Sequence, residues 1–210
     1  MPTWLLIASL PLLILSLTAH EVAHGLVADR LGDPTARLAG RLTPNPVRHL
    51  DAFGSLMLVA TLLASGGSFM FGWAKPVPVD PRHFRSEQRG MMLVGVAGPA
   101  TNLTLAIVAG LGVRFLAPVW FDGALILLEM FLLNMILAII NLLPVPPLDG
   151  SRVLGGVLPV GAYRWWRDLD RYGNFGFVIV LVVLYTHPGL FWGPVGAVSR
   201  VLFGVDVASG

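Results

Sequence analysis

The stretch LTAHEVAHG, residues 17–25, sets the terms on which the rest of the chain is read. Residues 2–19 carry no formal charge; then His20, Glu21 and His24 arrive within five residues, and the next charge is Asp29. An ionisable group near the middle of a bilayer costs several kcal/mol, so three of them clustered in an apolar helix call for a task.

Composition agrees with a membrane setting. Of 210 residues, 55% are hydrophobic and 12% charged, about half the charge of an ordinary soluble domain. That is too little polar surface for a soluble body of this size. No cysteine is present, which excludes disulfides and thiolate metal sites. The net charge of +2 is small, and most of the arginines lie between apolar runs. They suit anionic lipid headgroups and give no sign of nucleic acid. The first apolar run lacks a basic start and a small-residue cleavage site, so it reads as a retained span.

Apolar runs cover about residues 4–31, 53–73, 91–116 and 123–143, with two shorter ones at about 174–187 and 190–205. The expectation is an all-α polytopic membrane protein of about five to six transmembrane helices. It forms one domain over residues 1–210, with a catalytic core at about 4–155 and additional C-terminal helices at about 174–205. Basic residues bear on the topology. If every run crosses, the positive charge divides between the two faces. If the run at 53–73 enters and returns to the same face, all basic residues except Arg114 collect on one side. The positive-inside rule prefers that re-entrant arrangement, and Ser65-Gly66-Gly67-Ser68 offers a place to turn. The cytoplasmic ends of the first and fourth runs then meet at one depth, in a multi-pass protein of the cell membrane.

His20 and His24, four apart, project from one helix face and can hold one zinc ion; Glu21 lies beside them, within reach of a water activated by the metal. A catalytic zinc needs a third protein ligand. The fourth run ends in NLLPVPPLDG, residues 141–150, where Pro144, Pro146 and Pro147 stop the helix and Asp149 is the one acidic residue. Irregular backbone at that depth is tolerated only inside protein or beside water. Asp149 is therefore the candidate third ligand.

HEVAHG followed by NLLPVPPLDG resembles the paired signature of the site-2 protease family, the intramembrane zinc metalloproteases. GPATN, residues 98–102, is similar to the family's element in the intervening core helix. RLGDPTARLAGRLTPNP and GWAKPVPVDPRHFR resemble the small bacterial-type members without PDZ or CBS domains. The resemblance implies one zinc per chain on His20, His24 and Asp149, Glu21 as general base, and hydrolysis of a peptide bond within or near a transmembrane segment of a substrate protein. It implies that Asn141 helps to hold the substrate backbone, with Asn102 as a weaker candidate for lining the site.

A substrate helix must unwind before attack. Residues 37–43 and 75–81 alternate in a way that suits strands, the second only as an edge because of its prolines. The expectation is a short membrane-associated β element that could pair with the unwound substrate. His49 and Asp51 read as an interfacial polar cluster, His83 as solvated, His187 as a loop end, Glu129 as snorkelling to the outer surface, and Trp165-Trp166 as an interfacial anchor. Two other functions fit the same residues: a membrane zinc-binding or transport protein, and a relative that binds transmembrane helices without cleaving them. Glu21 weighs against the first and the complete motifs against the second. Selection of the substrate falls to the membrane core, a regulatory membrane partner or prior trimming.

Overall fold

Charge-free runs of leucine, isoleucine, valine and alanine satisfy their own backbone only as helices once water is excluded. The computed structural model describes residues 3–66, 72–168 and 186–207, together with 176, 178, 180, 182 and 183. Its helices are α1 (Thr3–Arg30), α2 (Thr35–Leu38), α3 (Ala52–Ala64), α4 (Glu87–Leu116), α5 (Phe121–Leu142), α6 (Asp149–Val157), α7 (Val160–Asp168) and α8 (Gly189–Phe203). Three stretches are long and apolar enough to cross a membrane: Ile7–Arg30, Glu87–Leu116 and Phe121–Leu142. With 13 and 15 residues, α3 and α8 are shorter, about 20 Å against a hydrocarbon core of about 30 Å. The run expected at about 174–187 lies largely outside the described residues.

Helix α4 is the centre of the molecule, with α1, α5, α6 and α8 against it. Small residues make this closeness feasible. Gly90, Gly95, Gly98, Ala106, Ala109 and Gly110 are buried along it, and small side chains let helix backbones approach where lipid supplies no hydrophobic drive. Between α4, α5 and α8, Ala106, Ala109, Phe131, Met135 and Val195 form a buried cluster. A second cluster of Ala28, Phe84 and Val94 fastens the chain before α4 to the end of α1.

No strand forms among the described residues. In place of a strand at 37–43 the chain makes the single turn of α2, just after a turn in which Asp33 accepts from the Thr35 N–H and hydroxyl. Residues 74–80 are extended but carry no ladder; the one contact of strand type is an isolated antiparallel bridge between Leu50 and Ala74. That bridge brings together the chain before α3 and the chain after residue 72. Gly72 lies so close to α3 that a Cβ there would come within 2.6 Å of the Gly54 carbonyl oxygen. Asp51 caps α3 by accepting from Gly54 N at 2.8 Å, and Gly66 ends it with φ of +61°. Gly67 and Ser68 of the expected turn lie outside the described residues.

Asp33 anchors the loops at this end. Fully buried, it accepts from the N–H of Asp80 at 2.7 Å and lies 3.3 Å from His83 Nδ1, so His83 is a half-exposed partner of a buried carboxylate and not simply solvated. Burial raises the Asp33 pKa, but hydrogen bonds from the Thr35 hydroxyl and from the N–H groups of Asp80 and Thr35, with His83 beside them, hold it below the ordinary carboxylate value. A folded-state pKa below the unfolded one contributes stability that is complete above the unfolded value and is lost as pH falls through the folded value.

Two outcomes follow. Because the chain has no cysteine, the double variant Leu50→Cys/Ala74→Cys should form an intramolecular disulfide on mild oxidation without background. Antiparallel neighbours lie within the Cα separation such a bond needs, and a gel-mobility assay reads the result. Asp33→Asn should cost about 2 kcal/mol near neutral pH. The gap from wild type should close as pH falls below the carboxylate range, as read by thermal unfolding in detergent.

Candidate metal centre

One turn of α1 separates His20 from His24, and the helix turns both imidazoles towards α4. Asp149 reaches the same point from the first turn of α6 because the chain leaves α5 through Pro144, Pro146 and Pro147 and restarts at once as helix. Gly150 permits that restart: a Cβ there would sit 2.3 Å from the Leu142 carbonyl oxygen. His20 Nε2 and His24 Nε2 are 3.0 Å apart, and each is 3.1 Å from Asp149 Oδ2. All three residues are buried.

The opposite ring nitrogens show what these atoms carry. His24 Nδ1 lies 2.7 Å from the Val94 carbonyl oxygen. A carbonyl only accepts, so that nitrogen holds the proton and Nε2 presents a lone pair. His20 Nδ1 lies 2.6 Å from Asn102 Oδ1. Asp149 Oδ2 is buried with no hydrogen-bond donor, while Oδ1 pairs with Arg152 at 3.1 Å. In the neutral tautomers that these contacts select, three acceptors converge, a repulsive arrangement that a cation resolves. Their separations are close to the ~3.3 Å edge of a tetrahedron with ~2.05 Å zinc bonds, and two imidazoles with one carboxylate are a zinc donor set. The residues fit the metal. Among the described residues this is the one group of at least three such side chains within reach of a shared ion.

Gly98 explains why α4 carries GPATN. A Cβ at this position would lie 2.4 Å from His20 Cε1 and 2.5 Å from Nε2 of both histidines, so the helix backbone itself forms one wall of the centre. Gly25, which closes HEVAHG, plays a similar part on the other side of α1: a Cβ would meet Leu42 at 2.6 Å and Val77 at 3.0 Å. Val77 lies there because its backbone N–H donates to Glu21 Oε2 at 2.8 Å. In the extended segment around it, Pro76 and Pro78 have no N–H to give, while Lys75 N donates to the His49 carbonyl at 2.8 Å and Asp80 N to Asp33. Three donors of this stretch are therefore spent inside the protein, which favours a structured loop over a free edge awaiting substrate.

The other sequence candidates are spread around this centre. Asn102 is fully buried and bridges His20 to Asn134, donating to Asn134 Oδ1 at 2.8 Å. Asn141 is half-buried in the last turn of α5 and donates to its own helix at Leu137 O, 2.9 Å away. His49 is buried with Nε2 3.0 Å from the Thr43 carbonyl, and Asp51 serves as a helix cap. Glu129 does not snorkel: it is buried against α1, where the Ser9 hydroxyl is 2.8 Å from Oε1, because a cross-helix partner spares it the route to the surface. Trp165 is exposed, whereas Trp166 donates to the Ser151 carbonyl at 2.8 Å and so braces α6. Sequence reasoning missed Ser16, Asn134 and the Val94 carbonyl. Asn134 left one signal, a polar residue in an apolar run two helical turns before Asn141.

Asp149→Ala should remove most of the zinc that purified wild-type protein holds, and Gly98→Ala should weaken binding at least about tenfold with every ligand still in place. Metal analysis of detergent-purified protein checks the first and chelator competition the second.

The comparisons with known proteins agree with this chemistry. The model of peptidase family M50 matches residues 123–184, the part that holds α5 and Asp149. The Bacillus subtilis protein "Putative zinc metalloprotease YwhC" is 38% identical over 188 residues, 85% of this chain and 80% of the relative. "Putative zinc metalloprotease Rip2" of Mycolicibacterium smegmatis is 34% identical over 177 residues, 82% of this chain and 64% of the relative. No solved structure matches. With that likeness over most of its length, and two histidines and an aspartate drawn to one point, the chain belongs to peptidase family M50, and it is a zinc metalloprotease.

Proposed function

We propose that the protein is an intramembrane endopeptidase that cuts a peptide bond within or near a transmembrane segment of a membrane-protein substrate. The observation that carries this reading is the convergence of His20, His24 and Asp149 on one point, with Glu21 next to His20 in the sequence of a helix whose preceding turns are apolar. His20, His24 and Asp149 would hold one zinc. The chemistry supplied by bound zinc is Lewis-acid activation of a water and of the scissile carbonyl.

Glu21 takes the proton of the attacking water and delivers it to the leaving amine. Its Oε2 accepts from Val77 N, which fixes the carboxylate and leaves Oε1 as the proton carrier. Asn141, at the mouth of the α5–α6 turn, is the residue we assign to the substrate backbone. Asn102 is assigned to His20 and away from substrate, because its amide is spent inside the core.

In the bilayer the segment over residues 53–73 dips in and returns. The Leu50–Ala74 bridge and the 13-residue length of α3 support this. It leaves the arginine-rich loops on the cytoplasmic face, nearer the active site, in a multi-pass protein. The substrate enters from the lipid as a helix, and a regulatory membrane partner is one means of choosing it.

Glu21→Gln separates cleavage from binding. Reconstituted in vesicles with a single-span reporter whose helix is weakened by an Asn-Pro pair near its cytoplasmic end, wild-type protein should cut the reporter. The variant should lose at least ~100-fold in rate while retaining its zinc. Zinc flux through the wild-type protein without cleavage, unchanged in the variant, would favour the transport reading. Reporter binding without cleavage by the wild type would favour the helix-binding one.

A further inference from the structure

We infer that Asn134 is a positioning residue for the metal centre: through Asn102 it sets which nitrogen of His20 carries the proton, and so keeps Nε2 open to the metal. The inference rests on the metal reading of His20, His24 and Asp149 and deepens it.

Asn134 is fully buried in α5. Its Nδ2 donates to the Met130 carbonyl at 2.9 Å and to Ser16 Oγ at 2.9 Å. An amide nitrogen has two protons, and both are used. The Ser16 hydroxyl can give or take, so it decides nothing. The Met130 carbonyl can only accept, so the amide of Asn134 has one orientation, with Oδ1 facing α4. There it meets Asn102 Nδ2 at 2.8 Å. Asn102, also fully buried, must then turn its own Oδ1 towards His20 Nδ1, 2.6 Å away. That nitrogen donates, and Nε2 is left with a lone pair pointing at His24 Nε2 and Asp149 Oδ2. A backbone carbonyl in α5 thereby fixes a tautomer in α1 through two side-chain amides.

The arrangement excluded by this relay is the one that competes with metal. Were Asn102 reversed, its NH2 group would face His20 Nδ1, which would have to accept. The His20 proton would move to Nε2, 3.1 Å from Asp149 Oδ2, and form a hydrogen bond there. The cluster would be satisfied without an ion, and zinc would have to displace a proton to enter. The cost of flipping is highest where no water can step in, and both asparagines lie in the apolar interior. Ser16 sits one turn before His20 on α1, so the relay also ties α1, α4 and α5 together at the level of the site.

The test compares two variants of nearly equal size. Asn134→Leu removes the acceptor that orients Asn102. Asn134→Asp keeps an oxygen for Asn102 Nδ2 in either protonation state. Zinc affinity, measured by chelator competition on the full chain in detergent, should fall about tenfold or more in N134L and stay as tight as wild type, or tighter, in N134D. Thermal unfolding of the metal-free proteins serves as the packing control. An N134L variant with wild-type affinity overturns the relay, and so does equal weakening in both variants, since that reports lost packing. Wild-type protein that takes up no zinc refutes the metal reading itself, and the relay with it. If N134L does not accumulate, nitrogen NMR of histidine-labelled, metal-free wild type decides: His20 protonated at Nδ1 supports the relay, and His20 protonated at Nε2 overturns it.

Discussion

Two imidazole nitrogens and a carboxylate oxygen held about 3 Å apart, all acceptors in the neutral tautomers, form the constraint around which the rest of this molecule is arranged. Such a cluster repels itself until a cation arrives, so each member has to be pinned from behind. The Val94 carbonyl pins His24, Asn102 pins His20, and Arg152 takes the second oxygen of Asp149. The backbone of α4 supplies the wall, and only glycine at position 98 lets it come so near. The small-residue surface of α4 is thus both a packing device and part of the site.

Much of this was legible in the sequence. The spacing of His20 and His24 places them on one face of any helix, and the lack of charge before them says where that helix lies. Asp149 could be found because zinc wants a third ligand and the proline-rich end of α5 offers one carboxylate at the right depth. The three long helices follow from uninterrupted apolar runs. Each of these inferences uses a periodic or compositional property that the chain carries locally.

What was not legible depends on partners remote in the chain. Asn134 is one polar residue in an apolar run until α1 and α4 stand beside it, and only then does its amide acquire an orientation. Glu129 was expected at the surface because nothing near it in sequence shows Ser9 waiting across the helix interface. The alternation at residues 37–43 suits a strand, but the chain makes a helical turn there, next to the turn in which Thr35 donates to Asp33. The prolines at 76 and 78 were read as marks of an edge strand. In the fold they have a different effect, leaving Val77 with an N–H between two residues that have none, and that N–H goes to Glu21.

The order of the ligands along the chain has a consequence for biosynthesis. His20 and His24 are synthesised before Asp149, and the wall at Gly98 and the bond from Asn102 come only with α4. A nascent chain therefore offers two imidazoles with neither their backing nor their carboxylate. The complete donor set exists only once α5 has formed and α6 has folded back onto α4. Metal uptake by the full set is in this sense a report of finished assembly, and a metalloprotease that has not finished folding has no working centre.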